Sequence, residues 1–394
     1  MKRNLYKGGI FFAALSLPYL QFRYIALIQV IFFILYCVEK FKEKESFALR
    51  GPDYALGAFY LFLTLATVFS QTPVQSAVLL GYYTVGISFY WIVSREFSRD
   101  DFVALGLLLI FGATLASLIG VAQYLGGDLG QAAWLDQQAN PNIRARAYSV
   151  FMNPNVLGEY LLVALIYNMA LVLMSRRFLR GLLLTIPFGI NLLTLLLTFS
   201  RGAWGGFAFA AIVFLLAYDY RYLPILALVG VMSLFVLPDV FIQRLLTIFT
   251  SSGDSSTSYR GMIYFGTEHL LQDYWLFGTG LGYGSFIEVY SLYRVEEIYG
   301  AHAHNIFLEI LVETGVFGLV TFLYFMAKSA VQGIKTVLLS EVVSQRLMVI
   351  TGLSALSGLF LHGLVENIFF DIRIVTLVWM LFGFTSASIK VVKS

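Results

Sequence analysis

Apolar segments separated by short polar connections fill most of the 394-residue chain. About twelve of them approach the ~20 residues that a helix needs to cross the hydrocarbon of a bilayer. They cover residues 5–20, 22–38, 53–70, 74–93, 102–125, 154–174, 181–198, 202–218, 222–237, 305–327, 347–367 and 372–390. The pattern predicts an all-α integral membrane protein with about twelve transmembrane helices.

Composition indicates the same class of protein. The chain is 59% hydrophobic and 12% charged, whereas soluble proteins carry about 25% charged residues. Its one cysteine, Cys37, lies in an apolar run, so neither an intrachain disulfide nor a cysteine–zinc site is expected. Met1-Lys2-Arg3 precedes apolar sequence as in a signal peptide. No clear cleavage site follows, so we interpret this segment as the first span.

The distribution of lysine and arginine predicts the orientation. Of the 26 basic residues, 18 fall in one set of connections, which the positive-inside rule assigns to the cytoplasm together with both termini. The outer set consists only of arginines: Arg23, Arg144, Arg146, Arg201, Arg244, Arg260, Arg294 and Arg373. Arginine grips phosphate with a rigid two-pronged fork, so this set points to phosphate recognition. For Arg23, Arg244 and Arg294, pairing with lipid headgroups or nearby carboxylates is the preferred interpretation.

A single polytopic membrane domain, residues 1–394, is expected, because no repeat, low-complexity tract or soluble domain interrupts the pattern. Residues 239–304 form the longest polar insertion, which we predict to be a large, partly helical periplasmic loop between predicted helices 9 and 10. Tyr259–Trp275 is amphipathic and predicts an interfacial helix. The glycine-rich residues 278–284 follow no strand and precede no Gly-Lys-Ser/Thr, so neither a nucleotide nor nucleic acid is expected as a partner.

His304 stands where a membrane helix begins again after the polar insertion. Its backbone lies at the positive end of the helix dipole, which disfavours imidazolium and favours a neutral, proton-accepting ring. Such a histidine at the membrane surface can act as a general base. The structural alternative is a capping or interfacial histidine. His302 is close enough to compete for the same assignment, while His269 and His362 look structural by position.

Arg201 lies in a very short turn between two apolar segments, within Phe199-Ser200-Arg201-Gly202-Ala203. A charge at this depth costs several kcal/mol unless it has a partner, and charged residues at such positions are usually functional. The structural alternative is an arginine that extends to the interface. The short turn gives the side chain little freedom to do so, and we therefore favour function.

Other outer residues are candidates for binding a polar ligand. Arg260 begins the amphipathic helix of the large loop, and Arg144 and Arg146 precede Asn153 and Asn155. The two asparagines can cap the next span and hydrogen-bond a ligand. Several arginines that converge on one outer cavity would make a site for a diphosphate.

Two carboxylates follow the histidine along the same predicted helix. Glu309 and Glu313 are four residues apart and share a face, with Glu313 roughly 13 Å along the helix from His304. Unpaired carboxylates there would be costly, so we expect them to face the bundle and to meet structural partners. No metal site is predicted, because His302 and His304 are too close in a loop for the usual helical histidine pair.

Four motifs together resemble the O-antigen ligase and polymerase superfamily of bacterial inner-membrane proteins. The ligases show a histidine, then Asn, Ser or Gln, nine residues, Gly, two residues, and Gly, Thr or Tyr. His304, Asn305, Gly315 and Gly318 match this spacing. Ser200-Arg201-Gly202-Ala203 resembles the family's arginine turn.

The other two motifs lie in the large loop and at the end of a second long outer loop, residues 126–153. Arg260, followed by residues 273–280, resembles the family's loop arginine and glycine-rich segment. Phe151-Met152-Asn153-Pro154-Asn155 resembles the Asn-Pro-Asn entry to a middle span. One departure is Tyr264, where many relatives carry tryptophan after the loop arginine.

The resemblance implies a metal-independent, cofactor-free glycosyltransferase of the membrane GT-C type in the bacterial inner membrane, working at the periplasmic face among membrane lipids. Such an enzyme moves a glycan from undecaprenyl diphosphate to a sugar hydroxyl of lipid A–core, with inversion at the anomeric carbon. His304 would be the base, and Arg201 and Arg260 would hold the diphosphate. Arg144, Arg146, Asn153, Asn155 and Asn305 are the further candidates for substrate binding.

Two other functions stay open at this point. An O-antigen or exopolysaccharide polymerase of related architecture would join lipid-linked repeat units to one another. A lipid-linked sugar transporter belongs to a different class, and it should carry its polar residues near mid-membrane within inverted repeats. Here the polar residues gather at one face beside one large loop, which favours an enzyme. A purely structural scaffold would not need Arg201 and His304 so placed.

Overall fold

The computed structural model describes residues 5–44, 48–127, 143, 145–175, 177–246, 255–295 and 298–387. Within these residues the protein is all-α. The helices are α1 (Gly8–Ser16), α2 (Phe22–Lys42), α3 (Gly51–Val68), α4 (Pro73–Glu96), α5 (Arg99–Gly126), α6 (Pro154–Met174), α7 (Phe178–Leu197), α8 (Arg201–Asp219), α9 (Leu223–Val236), α10 (Asp239–Leu246), α11 (Ser255–Tyr274), α12 (Tyr283–Tyr290), α13 (Ile306–Leu339), α14 (Val343–His362) and α15 (Ile372–Thr385).

The all-α membrane fold is confirmed, but the number of spans is not. Each of the twelve apolar segments overlaps a helix, although residues 388–390 of the last segment lie outside the described residues. Eight helical stretches in the described residues are long and apolar enough to cross a membrane. One of them, Arg201–Val236, contains two predicted spans, while Leu5–Ser16 and Ile372–Thr385 are shorter apolar helices. The count of twelve therefore stays a prediction.

The chain forms two compact units. Unit 1 comprises Met1–Ser98, Arg260–Glu341 and Gly363–Ser394, and unit 2 comprises Arg99–Tyr259 and Val342–His362. The prediction of one polytopic domain stays a prediction.

Unit 1 is held together by helix pairs rich in aromatic side chains. Helix α13 packs on α3, and α15 packs on α4. The Phe322 ring lies 5.0 Å from that of Phe59 and 5.8 Å from that of Phe369, centroid to centroid. On α4, Gly86 lies so close to the Trp379 ring that an added Cβ would collide with it. Glycine thus lets the buried tryptophan of α15 pack against the backbone of α4.

Unit 2 is arranged around α6, which is buried along most of its length and contacts α5, α7, α8 and α14. Helices α8 and α14 meet through glycine, because a Cβ on Gly206 would stand 2.7 Å from the carbonyl oxygen of Gly358. Small residues allow such close backbone contact between helices in a membrane, where packing rather than hydrophobic transfer drives association.

The polar insertion is partly helical, as predicted, and its helices in unit 1 rest on an apolar cluster. Helix α11 covers all of the predicted Tyr259–Trp275 helix except its last residue, and α12 follows the glycine-rich segment. Ile263 and Leu270 of α11 are buried with Phe286 of α12, Ala303 of the following loop and Val312 of α13. The loop that precedes α13 therefore lies on a packed core, which fixes the residues that it carries.

Candidate active site around His304

The helix behind His304 begins where the sequence predicts it. The Oδ1 atom of Asn305 accepts hydrogen bonds from the backbone nitrogens of Phe307 (2.9 Å) and Leu308 (3.1 Å), so Asn305 is the N-cap of α13. Its Nδ2 donates to the carbonyl oxygen of Leu364 at 3.1 Å. These contacts give Asn305 a structural role, and its predicted contact with substrate stays a prediction.

Glu366 joins two of the predicted catalytic residues. Its Oε1 lies 2.9 Å from Nδ1 of His304, and its Oε2 lies 3.3 Å from Nη2 of Arg260. The side chains of Glu366, His304 and Arg260 keep 10%, 17% and 22% of their surface exposed. The His304 ring is thus fixed at one nitrogen while part of its surface stays accessible.

The electrostatics of this cluster favour an ionised Glu366, which lies in the connection between α14 and α15. Burial alone would raise the pKa of the carboxyl group, but the hydrogen bond to His304 and the nearby guanidinium of Arg260 hold the pKa well below its usual range. A carboxylate accepts a proton at Nδ1, and we assign the His304 proton to that nitrogen on this basis. The lone pair of His304 then resides on Nε2, as a general base requires.

His302 is a second histidine in the same cluster, and the sequence considered it only as a competitor of His304 for the role of base. Its ring centroid lies 4.0 Å from that of His304 and 4.7 Å from that of Phe370. Its Nδ1 accepts a hydrogen bond from the backbone nitrogen of His304 at 3.2 Å. Burial is the largest cause that lowers the pKa of His302, to about 4, so the ring is neutral at pH 7.

His302, His304 and Glu366 are close enough to be considered for a metal ion, since one ligand atom from each lies within 4.8 Å of the others. The sequence did not anticipate this, because Glu366 lies 62 residues from His304. The hydrogen bonds of His302 indicate that its Nε2 carries a proton instead of binding a metal ion. Since Nδ1 of His302 accepts an N–H, its proton resides on Nε2, the atom that faces Glu366 at 3.7 Å. The absence of a metal site stays a prediction.

The glycines of the histidine motif have a structural reason. At Gly315, φ is +70° and the helical conformation of α13 is interrupted. The backbone of Leu276 lies so close that a Cβ on Gly315 would collide with it. The backbone nitrogen of Val316 donates to the carbonyl oxygen of Trp275 at 2.9 Å, and that of Thr279 donates to Val312 at 2.7 Å. The segment after α11 thus packs against the interrupted helix, which only glycine allows.

The two carboxylates of α13 have structural partners, as expected. Oε2 of Glu309 accepts a hydrogen bond from the backbone nitrogen of Ala303 at 2.6 Å. Oε1 of Glu313 accepts one from the backbone nitrogen of Gly282 at 2.8 Å. The first fastens the loop that carries His304, and the second fastens the glycine-rich segment.

In unit 2, Arg201 is the first residue of α8 and is half-buried. The turn before it is tight, with φ of +50° at Phe199. The Phe199 ring stacks on Phe241 of α10 at 5.0 Å, and Nε1 of Trp204 donates to the carbonyl oxygen of Leu195 at 2.8 Å. The predicted arginine turn is thus a fixed element of the fold.

Two more arginines contact this turn. Nε of Arg146 donates to the carbonyl oxygen of Thr198 at 2.7 Å, and Nε of Arg244 donates to that of Phe199 at 3.3 Å. Arg146 also donates through Nη2 to Oδ1 of Asn155 at 3.2 Å. The structure therefore gathers Arg146, Arg244 and Asn155 around the turn that carries Arg201, although the sequence favoured a lipid or carboxylate partner for Arg244.

Asn153 caps α6, because its Oδ1 accepts the backbone N–H of Asn155 at 2.8 Å. Arg144 lies outside the described residues. The predicted site residues thus fall into two groups. His304, Arg260 and Asn305 belong to unit 1, while Arg201, Arg146, Asn153 and Asn155 belong to unit 2.

Comparison with known proteins gives one family. Residues 186–323, about a third of the chain, match the family model described as O-antigen ligase. The matched region contains Arg201, Arg260 and His304. No curated protein matches the chain.

Proposed function

The family match supports membership of this chain in the O-antigen ligase superfamily, and from that premise we propose that it is a glycosyltransferase of the membrane GT-C type. It moves a glycan from undecaprenyl diphosphate to a sugar hydroxyl of lipid A–core at the periplasmic face of the bacterial inner membrane, with both termini in the cytoplasm. The observation that carries the proposal is the 2.9 Å contact between Nδ1 of His304 and the ionised Glu366.

In the proposed reaction Nε2 of His304 takes the proton of the acceptor hydroxyl. The freed oxygen attacks the anomeric carbon and forms the new glycosidic bond. The bond from that carbon to the diphosphate oxygen breaks, and its electron pair leaves with the undecaprenyl diphosphate. Attack opposite the leaving group inverts the anomeric configuration. The glycan is already activated by the diphosphate, so the step needs no nucleotide.

Glu366 acts on this step through His304. A carboxylate hydrogen-bonded to Nδ1 holds one tautomer and stabilises the imidazolium that forms when Nε2 takes the proton. The negative charge of Glu366 is itself balanced by Arg260 at 3.3 Å. Glu366 is therefore a positioning and electrostatic residue, and His304 is the catalytic one.

The arginines stabilise the leaving group. A guanidinium carries five N–H donors, so Arg260 can contact Glu366 and a phosphate oxygen at the same time. Arg201, supported by Arg146, is the second proposed diphosphate ligand. Donors that are fixed before the reaction stabilise the charge that develops on the leaving diphosphate without reorganising.

An O-antigen polymerase is the alternative within the same family, because the family match supports ligase or polymerase chemistry in general. The two differ in the acceptor, which is lipid A–core for a ligase and another lipid-linked repeat unit for a polymerase. The acceptor that receives the glycan therefore decides between them.

The test is transfer in vitro by the purified full-length chain in lipid nanodiscs, without ATP or added divalent metal. The donor is an undecaprenyl-diphosphate-linked glycan with a radiolabel, and the two acceptors are offered separately. Label on lipid A–core is expected. A ladder of longer lipid-linked chains would assign a polymerase instead. If folded protein with cognate substrates transferred label to neither acceptor, the enzyme proposal would be overturned. The lipid-linked sugar transporter would then be the favoured function.

A further inference from the structure

The backbone of His304 adopts an unusual conformation, with φ of +48°. This left-handed region is unfavourable for a residue with a Cβ, because Cβ approaches the following carbonyl oxygen. Such a conformation persists only where the surroundings fix it, and it is frequent at active sites. The groups around His304 must therefore hold it in this conformation.

Two side chains hold the peptide groups of His304 itself. The backbone N–H of His304 donates to Nδ1 of His302 at 3.2 Å, and the hydroxyl of Tyr264 donates to the carbonyl oxygen of His304 at 3.0 Å. His302 lies in the same loop, whereas Tyr264 belongs to α11. Both contacts come from side chains, so substitution can remove each one separately.

The flanking peptide groups are held as well. Ala303 donates its N–H to the buried carboxylate of Glu309 at 2.6 Å. Ile306 donates its N–H to the carbonyl oxygen of Gly363 at 2.8 Å. The loop is thus anchored on both sides of His304, and the remaining freedom lies in the peptide that His302 and Tyr264 hold.

The His302 ring has the properties that this contact needs. Only a neutral imidazole offers an acceptor nitrogen, since both nitrogens of the protonated ring are donors. His302 is 8% exposed, and its contacts with Phe370 and His304 favour the neutral form. Its lowered pKa, about 4, agrees with this. A protonated His302 would place two donors against each other at the His304 N–H.

We propose that His302 is a positioning residue for the base. Its Nδ1 accepts the backbone N–H of His304 and thereby fixes the left-handed conformation of His304. This conformation directs Nδ1 of His304 to Glu366 and leaves Nε2 of His304 for the hydroxyl of the sugar acceptor. Its catalytic consequence rests on the proposed function. The predicted tautomers do not depend on the proposed function. His302 should carry its proton on Nε2 and His304 on Nδ1, whether or not the protein is a glycosyltransferase.

The kinetic test compares His302→Asn with His302→Phe. Asparagine places Oδ1 near the position of Nδ1 and can accept the N–H, whereas phenylalanine keeps the ring volume and offers no acceptor. We expect His302→Phe to lower kcat by about 10²-fold, the effect of a base displaced by roughly 1 Å. The KM for the acceptor should change by less than about threefold, and His302→Asn should recover most of kcat. His269→Asn, on α11 in the same unit, is the matched control.

The spectroscopic test does not depend on activity. The chain has four histidines, so ¹⁵N-histidine labelling gives a small set of signals that single substitutions can assign. We expect His304 to keep the Nδ1–H tautomer in the wild type and in His302→Asn. In His302→Phe we expect it to become a mixture of tautomers. Tyr264→Phe removes the other contact of the same peptide and should cause a smaller shift in the same direction.

The outcomes separate the two proposals. If the wild type transfers nothing while the tautomers behave as expected, the proposed function fails and the positioning by His302 stands. If His302→Phe leaves both kcat and the His304 tautomer unchanged, the positioning role is wrong. Equal losses of kcat in folded His302→Asn and His302→Phe would also overturn the positioning role. The hydrogen-bond acceptor at position 302 would then make no difference. Should His302→Phe not fold, Tyr264→Phe decides by the same tautomer criterion.

Discussion

Two turns of this molecule carry the predicted catalytic residues Arg201 and His304, and they are stabilised in different ways. Phe199 in the arginine turn and His304 before α13 have nearly the same left-handed φ, +50° and +48°. In unit 2 the carbonyl oxygens of the turn accept hydrogen bonds from Arg146 and Arg244. In unit 1 the His304 loop is held by a carboxylate, a neutral histidine and a tyrosine.

The difference teaches what each turn is suited to do. Arginines that donate to backbone carbonyls bring positive charge to the arginine turn, which suits binding of a phosphate group. A carboxylate hydrogen-bonded to Nδ1 of His304 favours the tautomer whose Nε2 can accept a proton, which suits a base. Substitutions in the His304 turn should therefore affect proton transfer, and substitutions in the arginine turn should affect departure of the leaving group.

The largest effect is expected for His304→Ala, which removes the proposed base from the loop. Transfer should fall by about 10³-fold or more, in the upper range for loss of general-base catalysis. The measurement is kcat with the labelled donor in nanodiscs, with folding checked by thermal unfolding. Full activity of folded His304→Ala would contradict the base assignment.

Arg201→Ala should come next, with a loss of about 10²–10³-fold, as for removal of one preorganised charge-stabilising donor. Arg201→Lys should recover only part of this, because lysine cannot grip a phosphate with two parallel hydrogen bonds. A donor with a better leaving group should narrow the deficit of Arg201→Ala but not that of His304→Ala. The exposed Arg23 provides the control, Arg23→Ala, which should keep normal activity. If the better leaving group reduced the loss of activity equally in Arg201→Ala and His304→Ala, the two turns would not have the separate roles assigned to them.

Glu366→Gln should lower kcat by about 10²-fold, at the low end of general-base effects. The amide oxygen can still accept from Nδ1 of His304, but the charge that stabilises the imidazolium is gone. The loss should be smaller than for His304→Ala, and the double variant should be no worse than His304→Ala alone. Glu268→Gln, at an exposed position of α11, is the control. Additive losses in the double variant would show that Glu366 does not act through His304.

The smallest effect is a change in stability with pH. The pKa of His302 is lowered to about 4 in the folded protein, against about 6.5 in an unfolded chain. As pH falls below about 6.5, His302 binds a proton in the unfolded state but not in the folded state. The free energy of unfolding therefore decreases until about pH 4. His302→Asn lacks this group and should lose less Tm between pH 7 and pH 5 than the wild type. An identical pH dependence would mean that His302 is not held neutral.

Local signals predicted much of the fold and part of the site. Asn153 was predicted as a possible cap of the next span because asparagine can accept backbone N–H groups at a helix start, and it is the N-cap of α6. The arginine turn was predicted because a charge in a very short turn is costly. Each of these signals lies within a few residues of the feature that it predicts.

The rest of the site depends on contacts between distant positions. Glu366 lies 62 residues from His304 and 106 from Arg260, and no local pattern distinguishes it from other carboxylates near span ends. Tyr264 was noted only as a departure from tryptophan, yet its hydroxyl donates to the His304 carbonyl oxygen. His302 was set aside as a competitor for the role of base, and its function as an acceptor for a backbone N–H depends on a φ angle that sequence does not reveal.

The interruption of α13 at Gly315 has a consequence for the backbone hydrogen bonds of the helix. A break in a helix removes backbone N–H and C=O groups from their usual partners within the helix, and buried groups of this kind need other partners. Here the carbonyl oxygens of Val312 and Glu313 accept the N–H groups of Thr279 and Gly280, and the N–H of Val316 donates to the carbonyl oxygen of Trp275. The segment after α11 thus supplies the partners that the interrupted helix lacks on both sides of the break.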